Sequence, residues 1–527
     1  TLGGVFVKSS GTLTISQTNL ALSGNSTLTS DEALSFVTLN LNDFKLTLGS
    51  STSDLTVENA ITIDASTEGI LTGGADLLLS ALTLSAGDVT STGGIVSLSG
   101  GGQLSGTGKL DVSGSTWVLG GDFVKSSGTL TISQTNLALS GNSTLTSDEA
   151  LSFVTLNLND FKLTLGSSTS DLTVENAITI DASTEGILTG GADLLLSALT
   201  LSAGDVTSTG GIVSLSGGGQ LSGTGKLDVS GSTWTLGGVF VKSSGTLTIS
   251  QTNLALSGNI TLTSDEALSF VTLNLNDFTL TLGSSTSDLT VQNAITLDTS
   301  TEGISTGEAD LILNSALTMN NGLLDSTGGT WEFNGDFNKT SGTLSITETD
   351  LTLTNNITLT SDVALSFVTL NLNYKTLTLG SATSDLTVIN PLTISTTTEG
   401  ISTGGADLIL NAFLIIDGEG SVTSTSGEVS LLAGGRLSGS GELDLSGSTW
   451  VLGGDFEKRP VVGSQLSGTL TISQTDLKLA DNSTLTSDEA LNFVNLNLND
   501  YALTLGSSTS DLTVQNTITI DSIGEGI

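Results

Sequence analysis

The chain of 527 residues contains no cysteine and no histidine, and only two of its residues are arginine. Catalytic pairs that use an imidazole or a thiol are therefore excluded, as are zinc sites with histidine or cysteine ligands. Aromatic residues make up 4% of the chain and charged residues 13%, which is sparse for an ordinary globular protein of this length. This composition favours a narrow interior filled by leucine, isoleucine and valine. No run of 18 apolar residues occurs, so no membrane span is predicted.

Basic residues are also scarce. The chain has 13 lysine and arginine residues and 53 aspartate and glutamate residues, which gives a formal net charge of −40. Because nucleic acid is itself strongly anionic, it is excluded as an expected partner. An acidic surface of this kind repels copies of itself and favours solubility.

The chain repeats itself. The phrase GTLTIS begins at Gly11, Gly128 and Gly245, and it returns as GTLSIT at Gly342 and as GTLTIS at Gly468. The third spacing is about one coil shorter than the first two, and the last contains extra residues near 458–466. Repetition of this length predicts one continuous array instead of separate domains. The predicted units are 1–117, 118–234, 235–331 (one coil shorter), 332–450 and the partial unit 451–527.

Each unit is built from short phrases in which apolar and polar residues alternate. In GTLTIS, Leu13 and Ile15 are predicted to point inward while the threonines face outward. Glycine, serine, asparagine and aspartate bound these phrases, as expected of tight turns. We therefore predict an all-β fold, a parallel β-helix with about 20–23 residues per coil, five or six coils per unit and almost no helix. About 25 coils stacked at roughly 4.8 Å would form an elongated rod about 120 Å long.

Aromatic residues recur at equivalent positions of the units. We expect them to pack inside wider points of the coil, although a binding stripe is the alternative. The three series are Phe6, Phe123, Phe240, Phe337 and Phe456; Phe36, Phe153, Phe270, Phe367 and Phe493; and Trp117, Trp234, Trp331 and Trp450.

Aspartates recur every 10 to 12 residues in the first unit, and alternate ones are predicted to lie over each other between coils. Stacked carboxylates would repel unless a cation such as Ca²⁺ bridged them, which makes them weak calcium candidates. No calcium-binding loop motif accompanies them, so the prediction remains no cofactor, with calcium as the alternative. The candidates are Asp31, Asp43, Asp54, Asp64, Asp76 and Asp88.

One N-glycosylation sequon occurs in each unit, and an asparagine at a turn in a sequence rich in serine and threonine is the simpler interpretation. The five positions are Asn25, Asn142, Asn259, Asn356 and Asn482.

The phrases GGADLLLSALTLSAGDVTSTGG and SGGGQLSGTGKLDVSGSTW are similar to those of bacterial surface β-helix proteins. The chain resembles filamentous-haemagglutinin-like adhesins and autotransporter passengers over its whole length, in composition and rhythm. This resemblance implies a right-handed parallel β-helix, export to the cell surface, and a role as a stalk, adhesin or filament. The near-identical copies resemble very large repetitive surface proteins most.

The function expected from the sequence is structural: the shaft of an extracellular filament or giant cell-surface adhesin, in which repetition sets the length. The alternative is an adhesin surface that binds glycans or proteins of a host or partner cell. A carbohydrate-active enzyme is less favoured, because carboxylate pairs such as Asp31 and Glu32 recur in the units while an active site is normally singular. The insertion within 451–468 occurs in a single unit, so it is the segment where a single active site would be expected. Ice binding is also less favoured, and neighbouring filament subunits are possible partners. Both ends fall within the repeat pattern, so a longer array is expected.

Overall fold

The computed structural model describes residues 1–460, 467–521 and 526–527. These residues form an all-β, all-parallel β-solenoid of about 24 turns with about 21 residues per turn, which confirms the predicted fold class. No helix occurs among the described residues. The predicted loop near 458–466 lies mostly outside them, because residues 461–466 are not described. Contacts divide the chain into two units, Thr1–Thr263 and Ser264–Ile527.

The strands are three to five residues long in most cases. Those of the first unit are β1 Val5–Lys8, β2 Asn19–Ala21, β3 Ser26–Ser30, β4 Leu34–Phe36, β5 Thr38–Asn40, β6 Lys45–Leu48, β7 Leu55–Val57, β8 Ile61–Ile63, β9 Gly69–Gly73, β10 Leu77–Leu79, β11 Leu82–Leu84, β12 Asp88–Ser91, β13 Ile95–Leu98, β14 Gly102–Leu104, β15 Lys109–Asp111, β16 Thr116–Leu119, β17 Phe123–Lys125, β18 Thr129–Thr131, β19 Asn136–Leu139, β20 Ser143–Thr146, β21 Leu151–Phe153, β22 Thr155–Asn157, β23 Lys162–Leu165, β24 Leu172–Val174, β25 Ile178–Ile180, β26 Gly186–Gly190, β27 Leu194–Leu196, β28 Leu199–Leu201, β29 Asp205–Ser208, β30 Ile212–Leu215, β31 Gly219–Leu221, β32 Lys226–Asp228, β33 Thr233–Leu236, β34 Phe240–Lys242, β35 Thr246–Thr248 and β36 Asn253–Leu256.

Strand β37, Ile260–Ser264, spans the boundary between the units. Those of the second unit are β38 Leu268–Phe270, β39 Thr272–Asn274, β40 Thr279–Leu282, β41 Leu289–Val291, β42 Ile295–Leu297, β43 Gly303–Gly307, β44 Leu311–Leu313, β45 Leu317–Met319, β46 Leu323–Ser326, β47 Thr330–Phe333, β48 Phe337–Lys339, β49 Thr343–Ile346, β50 Asp350–Leu353, β51 Ile357–Thr360, β52 Leu365–Phe367, β53 Leu370–Asn371, β54 Thr376–Leu379, β55 Leu386–Val388, β56 Leu392–Ile394, β57 Gly400–Gly404, β58 Leu408–Leu410, β59 Leu414–Ile416, β60 Ser421–Ser424, β61 Glu428–Leu431, β62 Gly435–Leu437, β63 Gly439–Asp444, β64 Thr449–Leu452, β65 Phe456–Lys458, β66 Ser467–Thr471, β67 Asp476–Leu479, β68 Ser483–Thr486, β69 Leu491–Asn497, β70 Leu503–Leu505 and β71 Leu512–Thr519.

Three strands make one turn of the solenoid. Almost every strand pairs in parallel with the third strand before it and the third after it, as β13 does with β10 and β16. In the first unit this pairing gives one sheet from β1 to β18, a second from β4 to β22 and a third from β8 to β35. The second unit is built in the same way, with sheets such as that from β42 to β66. Parallel pairing places inward-facing side chains above one another along each face, as with Leu77, Val96 and Trp117.

The interior is a stack of aliphatic side chains. In β16, Trp117 and Leu119 are buried while Thr116 and Val118 are partly exposed, which is the period-two alternation predicted from the sequence. One phrase differs from the prediction. Residues 11–16 form no strand, whereas the copy at 129–131 is strand β18. Both Leu13 and Ile15 are only half-buried.

The sequence repeat does not contain a whole number of turns. The second copy runs from β17 to β33, and these seventeen strands do not divide into turns of three. Equivalent residues therefore lie on different faces. Trp117 lies in β16, a strand of the second sheet, and the strand after it, β17, belongs to the third sheet. Trp234 lies in β33, and here it is the strand before, β32, that belongs to the third sheet. The next repeat has fourteen strands from β34 to β47, three fewer, which is the number of strands in one turn.

Each repeat contains two interruptions of a sheet, one at the GTLTIS phrase and one at the TLN strand, as where a sheet ends at β22 and a new one begins at β25. The first sheet ends at β18, and the strand one turn later, β21, begins a new sheet. In the second unit the sheet that ends at β49 is followed by one that begins at β52. Strand β66 likewise ends its sheet. We call the gaps β18/β21, β49/β52 and β66/β69 the first, second and third edge slots.

Candidate functional site

The six aspartates predicted as weak calcium candidates do not converge. Three of them, Asp31, Asp43 and Asp64, are exposed, and the other three are half-buried. Among residues 1–460, 467–521 and 526–527, no group of three or more acidic side chains is placed to hold a metal ion. Calcium binding therefore remains a prediction, and the described residues form no coordination site that supports it.

Two of these aspartates do lie over each other, as expected for alternate positions. Asp54 Oδ1 accepts a hydrogen bond from the backbone N–H of Asp76 at 2.9 Å, and Asp76 Oδ1 accepts one from Ile95 at 2.8 Å. The second copy repeats this ladder, with Asp171 accepting from the N–H of Asp193 at 2.8 Å. Each carboxylate is thus stabilised by a backbone dipole of the next turn, which offsets the repulsion between stacked charges without a cation.

The remaining candidates have structural partners of other kinds. Asp88 Oδ2 lies 3.2 Å from Lys45 Nζ. The backbone N–H groups of Asp43 and Asp64 both donate to the buried carboxylate of Glu68, at 3.3 and 3.2 Å. Glu68 therefore links two consecutive turns, a role that its sequence context did not indicate.

The sequon asparagines are all exposed. Asn25 Oδ1 accepts a hydrogen bond from the backbone N–H of Lys45, one turn later, at 2.9 Å. Asn142, Asn356 and Asn482 make the same bond to residues 20 positions later. This capping bond between turns explains an asparagine at these positions, and glycosylation stays a prediction.

The aromatic series lie inside the solenoid. All four tryptophans and every phenylalanine of the two series except Phe6 are buried, which confirms interior packing over a binding stripe. Trp117 meets the ring of Phe123 edge-on, with centroids 4.8 Å apart, and Trp450 meets Phe456 in the same way at 4.9 Å. Trp234 meets Phe240 in the same way, with centroids 4.8 Å apart.

A recurring buried lysine is the feature that the sequence reading missed. Lys8 and Lys125 point into the interior, and each meets an aspartate 23 residues later, Asp31 and Asp148 respectively. Glu149 contacts the Lys125 ammonium as well, with Nζ and Oε1 3.0 Å apart. Lys339 pairs with Asp362 and Lys458 with Asp488 in the same arrangement. Because the chain has few lysines, the recurrence of these lysines at the spacing of the repeat was the sequence signal that could have identified the pairs.

In the pairs of Lys8 with Asp31 and of Lys125 with Asp148, the pKa values of both members shift in the direction that stabilises the charged forms. The hydrogen bond from Lys125 holds the pKa of Asp148 below its ordinary value, and the Lys8 ammonium does the same for the pKa of Asp31. Burial opposes charge on Lys125, but the hydrogen bonds to Asp148 and Glu149 outweigh it and raise the lysine pKa. Each pair is therefore an ion pair that fastens one turn to the next.

No family model, curated protein or solved structure matches this chain. Among the described residues there is no helix that could cross a membrane. The architecture alone defines the class: the chain is a repetitive parallel β-solenoid protein.

Proposed function

We propose that the chain is a structural shaft of an extracellular filament or giant cell-surface adhesin. The observation that carries this proposal is the continuous parallel pairing of each turn with the next within each unit, around an aliphatic interior. In such an array each turn contacts only its neighbours, so length can change without redesign. The chain shows such a change: one repeat has three strands fewer than the copy before it, the equivalent of one turn.

The rest of the proposal follows from surface chemistry. A net charge of −40 keeps shafts apart and soluble outside the cell, and it disfavours nucleic acid as a partner. We propose neither catalysis nor a resident cofactor. Neighbouring filament subunits remain the expected partners of a shaft.

The test is removal of one repeat. Excising residues 118–234 joins Trp117 to Thr235, in the same local sequence context as the native junction between Trp117 and Val118. A shaft should keep its stability per repeat and become shorter, as measured by urea unfolding and electron microscopy. Loss of folding would contradict the proposal.

Thin rods unchanged by EDTA would support a metal-independent shaft, whereas collapse on chelation would assign calcium to the aspartates.

An adhesin surface is the second candidate, and the rotation of the repeat favours it. Because equivalent surface residues lie on different faces in successive repeats, a recognition motif would be presented in several directions. Such presentation lets one chain contact ligands on more than one side, and contacts made at the same time raise avidity. Binding of the full chain to a glycan array would support this candidate, with affinity falling when residues 118–234 are removed.

A further inference from the structure

Each edge slot exposes two unpaired strand edges that face each other. In β18, Thr129 N–H donates to Gly108 and Thr131 C=O accepts from Val112, both at 2.9 Å in the preceding turn. Because backbone groups of successive strand residues point to opposite sides, the N–H and C=O of Leu130 point into the first slot. Across the slot, Leu151 N–H donates to Asp171 in the following turn at 2.8 Å. Ser152 therefore presents its own N–H and C=O from the other side.

The slot has fixed ends. At one end Val154 N–H donates to Thr135 C=O at 2.9 Å, which rejoins the two turns. At the other end the Lys125 ion pair with Asp148 fastens them. In this described part of the chain no backbone hydrogen bond joins β18 to β21 between these points. The second and third slots are closed in the same way by Thr349 with Val368 and by Thr475 with Val494, each at 2.9 Å.

The slot floor is apolar and only partly covered. The alternating pattern predicts that Leu130 and Ile132 face inward, yet both side chains are only half-buried. Leu344 and Ile346 in the second slot are half-buried as well. The third slot opens into a cavity of about 620 Å³ lined by Leu470, Ile472, Gln474, Glu489, Ala490 and Leu491. This volume lies within the range of about 300–1,000 Å³ that is usual for ligand sites.

The charge at the slot indicates the sign of its occupant. In the first slot the side chains of Asp148 and Glu149 are 45% and 53% exposed, and both share the single charge of Lys125. The third slot repeats this with Asp488, Glu489 and Lys458, whereas Val363 replaces the glutamate of the second. Added to the net charge of −40, these carboxylates favour a cationic occupant.

We infer that the first and third edge slots, which carry the full acidic pair, each bind a short extended peptide segment of a cationic partner protein, which completes the interrupted sheet by adding a strand. Unpaired edges are templates for this mode of recognition, in which backbone hydrogen bonds supply affinity and alternate side chains supply specificity. One face of the added strand covers the half-buried floor, and its basic side chains meet the acidic end of the slot. The inference concerns binding along the solenoid and does not depend on the shaft proposal.

The test uses a synthetic probe, acetyl-Lys-Leu-Thr-Leu-Thr-Lys-amide, titrated into the full chain by calorimetry. We expect at least two bound peptides per chain. N-methylation of alternate peptide amides removes the hydrogen bonds and keeps the side chains, and it should weaken binding by about tenfold or more. No binding of the probe, equal binding of the N-methylated peptide or equal binding of hexalysine would overturn the inference.

A protein variant locates the site. The double variant Ser152→Pro and Asn492→Pro removes the N–H that faces the first and the third slot and leaves the bonds to the following turn. The number of bound peptides should fall by two, while the matched alanine variant at the same positions should bind as the unchanged chain does. An unchanged number in a folded proline variant would contradict the assignment. If the proline variant fails to fold, the weaker binding expected of the N-methylated peptide to the unchanged chain tests the inference instead.

Discussion

At the scale of single residues, the buried lysines show how a solenoid fastens its turns where the sheet is open. The interruption at β18 removes backbone bonds between two turns, and the ion pair of Lys125 with Asp148 lies at the end of that gap. The ammonium is buried, while the carboxylate is 45% exposed. Solvent therefore screens the pair, and its contribution to stability is smaller than that of a fully buried pair.

Acid should remove the contribution of this pair. The pKa of Asp148 is lowered in the folded chain, so the stabilisation is complete above the ordinary aspartate value of about 3.9 and is lost as the pH falls through the lowered value. Asp148→Asn should lower the melting temperature at pH 7, and its difference from the unchanged chain should shrink below about pH 4. Thermal melts from pH 2 to 8 measure this.

Asp160→Asn is the matched control, since Asp160 is exposed and lies in the same repeat, 12 residues later. It removes the same charge without breaking a lysine pair. A difference for Asp148→Asn that stays constant across pH would show that the ion pair contributes nothing.

At the scale of strands and turns, close backbone approach limits which residues fit between coils. A Cβ atom on Gly120 would lie 2.4 Å from the carbonyl oxygen of Ser99 in the preceding turn. Gly120→Ala should therefore lower the free energy of unfolding by about 1–3 kcal/mol, because the two turns must separate. Gly191, whose Cβ would meet only Ser168 Cβ at 3.6 Å, is the control.

Gly191→Ala should change stability by less than about 0.5 kcal/mol. Urea unfolding of both variants gives the comparison. Equal effects at Gly120 and Gly191 would show that backbone approach does not determine the spacing of the turns.

The turn is also the unit of permitted deletion. Residues 95–115 contain β13, β14 and β15, so their removal would bring β16 onto β10 with Trp117 opposite Leu77. The shorter repeat already has this arrangement, in which Trp331 pairs with Leu311. We expect the chain without residues 95–115 to fold and to melt within a few degrees of the unchanged chain.

Deletion of residues 95–101 removes β13 alone, so that β14, β15 and β16 would meet β10, β11 and β12, strands that belong to other sheets. This variant should lose cooperative unfolding or melt far lower, as followed by circular dichroism. Similar melting of the two deletion variants would mean that pairing with the third strand along the chain is not obligatory.

At the scale of the whole molecule, charge is expected to govern association. The net charge of −40 at pH 7 approaches zero near the isoelectric point of about 4.1. Light scattering at low salt should therefore show little association at pH 7 and reversible association near pH 4, with circular dichroism reporting whether the fold persists. Strong association at pH 7 would indicate a specific contact between copies that overcomes repulsion.

Most of the fold could be predicted because a solenoid is encoded by local pattern. Alternation in phrases such as that at Thr116–Leu119 indicates which side chains face inward, and the missing block of the third repeat indicates the length of one turn. Burial of the tryptophans and of most of the phenylalanines followed from the same pattern. The calcium candidates were a less secure inference, since spacing along the chain does not say what partner a carboxylate finds.

The sequence by itself determined the all-β class, the parallel stack, the length of a turn and the interior position of the aromatic residues, because each depends on a period that can be read along the chain. The tertiary structure alone decided which residues meet between turns. Three strands close a turn while the longer repeat holds seventeen, so equivalent residues change face. The lysine ion pairs, the aspartate ladder and the edge slots all form between residues about 20 positions apart. Their contacts depend on the register of turn upon turn, which no local pattern contains.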